Sequence, residues 1–176
     1  MNETRFSDRL KALKPFRVME IAEQARFLEN QGRSIVHFEI GELEFPTAVP
    51  IVDKAKESLD KGLTKYTGGN GLYELREKIS DRYRRKRIDI DPEQILITNG
   101  GSGGLLLLLA GLLDPGDHFL STDPGYPCHG AFSSLIGTMI ENVTLKISAA
   151  FQPELSDFES RWSDSCLLYT SPSPRD

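Results

Sequence analysis

The sequence predicts an α/β protein with a mainly parallel sheet flanked by helices. Two observations support this prediction. From Pro92 onward, the short apolar runs "QILIT", "HFLSTDP" and "TMIENVTLKI" alternate with helical patterns, and such alternation favours parallel strands joined by right-handed crossovers. In addition, the glycine-rich stretch "TNGGSGG" (Thr98–Gly104) connects the first of these runs directly to the apolar run "LLLLLAGLL".

The elements follow in order along the chain. An apolar stripe at helical spacing predicts a helix over residues 15–30, ended by Gly32. Partial alternation in "SIVHFEIG" predicts a strand that ends at Gly41. The remaining predicted elements are a helix near residues 51–60, a loop over 61–71, a helix over 72–86, a strand over 94–98, a helix over 101–113, a strand over 118–124, a helix over 126–137, a strand over 138–147 and a helix-like segment over 154–162.

The composition excludes several classes of protein. The 176 residues are 39% hydrophobic and 27% charged, values typical of one globular domain or part of one. The net charge of −5, with interspersed charges, argues against a nucleic-acid or membrane partner, and the basic cluster Arg82–Arg87 is typical of a solvated helix face. No apolar run approaches the about 20 residues of a membrane span, and the N-terminal sequence does not look like a signal peptide. The two cysteines are too few for a disulfide framework, and no Cys/His set indicates a metal site. We therefore expect a cytoplasmic protein.

The glycine-rich stretch predicts an anion site. Glycines at a strand–helix junction let a ligand approach the first N–H groups of the helix, where the helix dipole favours phosphate. The dinucleotide fingerprint fails because Leu106 occupies its third glycine position, and the P-loop fails because no Gly-Lys-Ser/Thr follows. Two interpretations remain open from the residues alone: a phosphate cradle of another kind that uses the Ser102 hydroxyl, or close helix–sheet packing without a ligand.

Four stretches carry a resemblance to a known family. "FEIGELEFPT", "TKYTGGNGLYELREKI", "ILITNGGSGGLLLLLAGLLDPGD" and "TDPGYPCHGAF" occur in this order. Together they resemble the class I/II aminotransferases, pyridoxal 5'-phosphate enzymes of the aspartate-aminotransferase fold (fold type I), from about Pro15 to Trp162. The resemblance implies transfer of an amino group from an amino acid to a 2-oxo acid. It also implies that residues 51–165 are the first half of the cofactor-binding large domain, preceded by an N-terminal arm and small-domain segment over 1–50.

The resemblance also assigns cofactor-binding residues. Gly100, which allows a tight turn, and Gly101 and Ser102, which supply backbone amides and a hydroxyl, match the phosphate-binding loop. Tyr126 matches an aromatic residue that stacks on the cofactor ring, with a core tyrosine as the alternative. His129 matches a histidine that supports the aspartate at the ring nitrogen, with a purely structural histidine as the alternative.

Two further stretches are assigned by the same resemblance. Tyr66 is similar to a tyrosine that reaches the partner subunit's cofactor phosphate, which implies a homodimer; an ordinary surface-loop tyrosine is the alternative. Gly41 and Glu42 match the segment that lies against the substrate carboxylate.

The catalytic groups of the family are not matched in this chain. The lysine that bonds the cofactor, the aspartate at its ring nitrogen and the arginines for the carboxylate all lie, in the family, beyond the end of this sequence. Lys54, Lys65 and Lys146 have no matching context, so no catalytic residue is assigned and we expect the fragment alone to be inactive. The alternatives are a carbon–sulfur lyase or a cyclopropane-forming synthase of the same fold, a nucleotide-binding α/β module, and a non-catalytic protein that uses the fold for binding.

The last eleven residues, "CLLYTSPSPRD" (residues 166–176), do not continue the alternation. One back-translation of them is the sequence of a common transposase-based sequencing adapter. We therefore expect that the natural reading frame is interrupted near Ser165 and that this tail is non-native. Source DNA with these codons in a native genomic context would refute this expectation.

Overall fold

The structure, a computed structural model, describes residues 6–43 and 45–169. The chain divides into two compact units. One unit, called here the 21–104 unit, is Ile21–Gly104; the other, called the sheet unit, consists of the described residues up to Glu20 and from Leu105 onward. The domain boundary expected after residue 50 stays a prediction. Residues 1–5 of the expected arm and 170–176 of the expected tail lie outside the described residues.

In the described residues, three α-helices precede the glycine-rich stretch, close to where the periodicity predicts them. They are α1 (Arg17–Glu29), α2 (Val49–Asp60) and α3 (Tyr73–Arg84). Helix α2 carries a proline in its first turn, where the missing N–H costs nothing because it has no partner within the helix.

Side chains of helix α3 form hydrogen bonds with residues 90–92, which lead towards the glycine-rich stretch. Arg76 and Ser80 are one turn apart and both are buried. Arg76 Nη1 donates to the carbonyl of Pro92 (2.8 Å) and Ser80 Oγ donates to the carbonyl of Ile90 (2.6 Å). These two bonds hold residues 90–92 against α3.

The remaining elements form a small parallel α/β arrangement. They are α4 (Gly100–Leu112), β1 (His118–Asp123), α5 (Cys128–Ile136), β2 (Met139–Thr144), α6 (Leu155–Glu159) and β3 (Cys166–Tyr169). The strand order is β2-β1-β3, and β1 pairs in parallel with both neighbours. The mainly parallel sheet flanked by helices that the sequence predicts is confirmed.

The core lies on β1 because this central strand is covered on both faces. Phe119 and Leu120 are completely buried although their side chains point to opposite sides of the sheet. On one face, Leu109 and Leu113 pack with Phe119. The half-buried side chains of Phe132, Ile136, Ile140 and Leu168 surround this cluster.

Two predicted strands do not form, and one unpredicted strand does. Residues 34–41 and 94–98 have no ladder partner, and Phe38 is 90% exposed. Alternation shows that a segment suits a sheet, but a strand also needs a neighbour that supplies hydrogen bonds. Conversely, the first residues of the expected tail form β3 and pair with β1, although this segment was not expected to continue the alternation of strands and helices.

In the described part of the chain, every helix is too short or too polar to cross a membrane.

Candidate functional site

The glycine-rich stretch begins helix α4. Gly100 has φ of +72°, a left-handed conformation that glycine adopts without strain, and it is the first residue of the helix. The Thr98 hydroxyl donates to the carbonyl of Gly100 at 2.8 Å and braces this turn. Gly101 and Ser102 follow in the first helical turn and are exposed.

This arrangement fits a phosphate group. The first N–H groups of an α-helix have no partner within the helix, and no acidic residue lies in the first turn of α4 to repel an anion. A Cβ placed on Gly100 or Gly101 would meet no atom within 4 Å, so the space on the side-chain side of these two residues is open. Gly104 instead faces Thr98, whose Oγ1 would lie 3.3 Å from an added Cβ. The alternative of close helix packing therefore suits Gly104 but not Gly100 or Gly101.

The loop that carries Tyr66 rests on the segment that leads into this turn. The Ile97 N–H donates to the carbonyl of Asn70 at 3.1 Å. Gly71 has φ of +91°, and a Cβ there would lie 2.6 Å from Ile97 Cβ, so only glycine permits this approach. The Tyr66 side chain itself is fully exposed.

His129 and Tyr126 lie together in the sheet unit. The Tyr126 ring meets the His129 ring nearly edge-on, with 5.3 Å between centroids, and Phe119 meets the same imidazole at 6.0 Å. His129 is buried, and this burial lowers the pKa of its imidazole. Tyr126 is 43% exposed, which disfavours the alternative of a core tyrosine.

Sequence reasoning missed Ser121, whose Oγ lies 2.9 Å from His129 Nδ1. Ser121 is 2% exposed and lies in the middle of β1. The available signal was a serine within an otherwise buried strand, because a buried hydroxyl requires a partner.

Gly41 and Glu42 are exposed, and the Glu42 N–H donates to the carbonyl of Ile40. In the described residues, no hydrogen bond joins either of them to the glycine-rich turn. The segment before them is anchored by His37, whose Nδ1 lies 2.6 Å from a Glu39 oxygen and whose Nε2 lies 2.9 Å from a Glu29 oxygen. Hydrogen bonds to Glu39 and Glu29 raise the pKa of His37. The sequence pattern did not indicate this cluster.

Within residues 6–43 and 45–169, one group of side chains could hold a metal ion, although the sequence indicates no metal site. The ligand atoms of His118, Glu141 and Cys166 lie within 4.8 Å of one another across the three strands. His118 Nδ1 already bonds a Glu141 oxygen at 2.8 Å, and Cys166 is the first residue of the expected non-native tail.

The predicted residues therefore fall into two groups. Gly100, Gly101, Ser102, Tyr66, Gly41 and Glu42 belong to the 21–104 unit, whereas Tyr126 and His129 belong to the sheet unit. Within the first unit the structure brings the Tyr66 loop beside the approach to Gly100, and within the second it brings Tyr126 onto His129.

Known proteins are similar to this chain in sequence and in fold. Residues 33–173 match the family model described as aminotransferase class I and II. A (5-formylfuran-3-yl)methyl phosphate transaminase from Methanocaldococcus jannaschii is 45% identical over 132 residues, covering 74% of this chain and 36% of that protein. An aspartate aminotransferase from Thermotoga maritima is 35% identical over 154 residues, covering 87% of this chain and 41% of the relative.

Solved structures agree with the sequence matches. The crystal structure of the Thermotoga maritima aspartate aminotransferase superposes with a TM-score of 0.86 at 33% identity, covering 92% of this chain and 43% of the other. The Thermus thermophilus aspartate aminotransferase with maleate gives a TM-score of 0.88 at 27% identity, with 93% and 43% covered. The chain thus spans about two fifths of the length of these relatives and has the corresponding part of the aspartate-aminotransferase fold. From the family match over most of its length, together with this shared fold, the chain belongs to the class I and II aminotransferases.

Proposed function

We propose that the chain is part of an enzyme that moves an amino group from an amino acid to a 2-oxo acid with pyridoxal 5'-phosphate. The observation that supports this most directly is the glycine-rich start of α4, where exposed residues with backbone amides and a hydroxyl meet at a helix N-terminus whose first turn contains no acidic residue. A phosphate dianion needs several convergent donors of this kind.

Each candidate residue then has a physical task. The N–H groups of Gly101 and Ser102 and the Ser102 hydroxyl bind the phosphate, and the left-handed Gly100 directs the chain into the helix. Tyr126 restrains the cofactor ring by contact with its face. His129, which is hydrogen-bonded to Ser121, lies beside Tyr126. When bound, the cofactor supplies an electron sink for negative charge at the amino-acid Cα.

The proposal includes a homodimer and a substrate segment. The full exposure of Tyr66, on a loop held to Ile97, supports its role as a contact to the partner subunit's cofactor phosphate. The backbone at Gly41 and Glu42 is exposed and available to a substrate carboxylate. No residue of this chain is assigned as the catalytic base, and we expect the chain alone not to turn over substrate.

The phosphate site is tested by equilibrium dialysis of this chain against pyridoxal 5'-phosphate and against pyridoxal, which lacks the phosphate. We expect preference for the phosphorylated form and a weakening of about tenfold or more in Ser102→Ala, since a hydrogen bond to a charged group contributes about 1.5–3 kcal/mol. Ser134→Ala is the matched control, because its hydroxyl donates to the carbonyl of Gly130 on α5.

Equal binding of pyridoxal, or an unchanged affinity in Ser102→Ala, would refute the assignment of the loop. Preference for a nucleotide over pyridoxal 5'-phosphate would favour the nucleotide-binding alternative. For the whole protein, formation of a 2-oxo acid with a new amino acid distinguishes transamination from the release of ammonia and an elimination product.

A further inference from the structure

Ser121 is a polar residue in the most deeply buried strand of the molecule. It follows Phe119 and Leu120, both of which are completely buried, and is itself 2% exposed. An unsatisfied hydroxyl at such a position destabilises the folded protein, because the group loses its hydrogen bonds to water and gains none in return. The serine therefore needs a hydrogen-bonding partner within the protein.

That partner is His129. Ser121 Oγ lies 2.9 Å from His129 Nδ1, and in the described part of the chain this is the contact that satisfies the hydroxyl. A buried hydroxyl must donate its single hydrogen to an acceptor, and Nδ1 is an acceptor only when the ring proton is on Nε2. The hydrogen bond thus selects one of the two neutral tautomers of the imidazole.

The environment of His129 determines both the charge state and the orientation of its imidazole ring. Desolvation lowers the pKa of His129, so the imidazole is neutral at neutral pH. Phe119 and Tyr126 both meet the ring nearly edge-on, at interplanar angles of 85° and 73°. A half-turn of the ring about the Cβ–Cγ bond would place a carbon atom where Nδ1 lies and break the bond to Ser121, and rotation about the Cα–Cβ bond would also remove both ring contacts.

We propose that Ser121 is a positioning residue that holds His129 as the neutral Nε2–H tautomer and presents this N–H in a fixed direction beside Tyr126. The importance of that donor rests on the proposed function, in which Tyr126 lies against the cofactor ring. A neutral N–H donor held in this way binds an acceptor such as a carboxylate oxygen without adding a full positive charge. It also avoids the entropic cost of orienting the ring when that acceptor arrives.

The tautomer is measured directly by long-range ¹H–¹⁵N NMR of the histidine side chains in this chain. We expect one neutral Nε2–H form of His129 at neutral pH and above, and we expect the ring to gain its second proton only below the ordinary histidine value. Ser121→Thr and Ser121→Val have nearly the same shape and differ in the hydroxyl. Thr should retain the single tautomer, whereas Val should give a mixture of tautomers. Ser134→Ala on α5 should leave the His129 signals unchanged.

The wild-type spectrum tests the proposal even if a variant does not fold. An Nδ1–H form, a mixture of tautomers or titration at the ordinary histidine value would overturn it, as would identical spectra for the Thr and Val variants. If the wild-type chain shows the single Nε2–H tautomer but does not bind pyridoxal 5'-phosphate, the proposed function is refuted and the positioning role of Ser121 is not. If the wild-type chain binds pyridoxal 5'-phosphate but His129 is a mixture of tautomers, the positioning role of Ser121 is refuted and the proposed function is not.

Discussion

At the scale of single residues, the contact made by His37 depends on pH. Its imidazole lies between Glu29 on α1 and Glu39 on its own segment, with one nitrogen bonded to each carboxylate. Hydrogen bonds to these carboxylates raise the pKa of His37 above 6.5, and the bond from His37 lowers the pKa of Glu39 below 4.5. The contact joins α1 to the segment that precedes Gly41.

The sign of the pH dependence follows from these two shifts. The contribution of His37 to stability is fully present below its unfolded value of 6.5 and is lost as the pH rises through the raised pKa of the folded state. The contribution of Glu39 is present above its unfolded value of 4.5 and is lost as the pH falls through the lowered folded pKa. The charged contact is therefore strongest between pH 4.5 and 6.5.

We predict that Glu29→Gln lowers the pKa of His37 because it removes one of the two carboxylates that stabilise the imidazolium. NMR titration of the His37 ring protons measures this shift. Glu23→Gln removes a charge from the same helix without removing a partner of His37, and it should leave the titration nearly unchanged. Equal titration curves for the two variants would contradict the assigned contact.

At the scale of elements, α4 shows what hydropathy leaves undetermined. Five consecutive leucines, residues 105–109, have no polar side, so periodicity predicts a buried helix but not the face that it buries. Contact with β1 makes that choice. Leu109 is 2% exposed and lies in the core cluster with Phe119, whereas Leu108 is 58% exposed.

We predict that Leu109→Ala lowers the free energy of unfolding by about 2–5 kcal/mol, because it removes buried methyl groups and leaves a cavity. Leu108→Ala is the matched control, with the same substitution on the same helix one position earlier. It should change the free energy of unfolding by about 0.5 kcal/mol or less. Urea denaturation followed by circular dichroism measures both values. A larger effect at Leu108 would mean that the helix packs through another face.

The unpaired segments over 34–41 and 94–98 show that a local sequence pattern does not determine which segments become strands. Their composition suits a sheet, yet Ile97 makes a single backbone bond to Asn70 in place of a ladder. A strand gains its stability from cross-strand pairs and hydrogen bonds, which a local pattern does not contain. The helices α1 to α5 were predictable because their hydrogen bonds are internal to each segment.

At the scale of the whole molecule, β3 covers one edge of the central strand. Leu168 pairs with Phe119 in the ladder and packs against the core cluster, and Cys166 is buried. An uncovered strand edge presents free N–H and C=O groups that pair with any available extended segment. The pairing of β3 with β1 is therefore compatible with either origin of the tail.

We predict that a chain ending at Ser165 self-associates, because its β1 edge is left without a partner strand. A chain ending at Tyr169 is the control, since it retains β3. Sedimentation velocity should show larger species in the shorter chain and fewer in the control. Identical profiles for the two chains would mean that β3 does not protect this edge.

The sequence by itself determined the helices and the glycine-rich turn at Gly100, because each depends on residues that are near one another in the chain. It also determined the parallel α/β class and the family, because these follow from the order in which several such local patterns occur. Only the tertiary structure decided which apolar segments become strands, which leucines of α4 are buried, and that Ser121 meets His129. Those outcomes depend on which distant segments lie side by side. A buried hydroxyl or an apolar edge requires a partner, but its local sequence does not contain the identity of that partner.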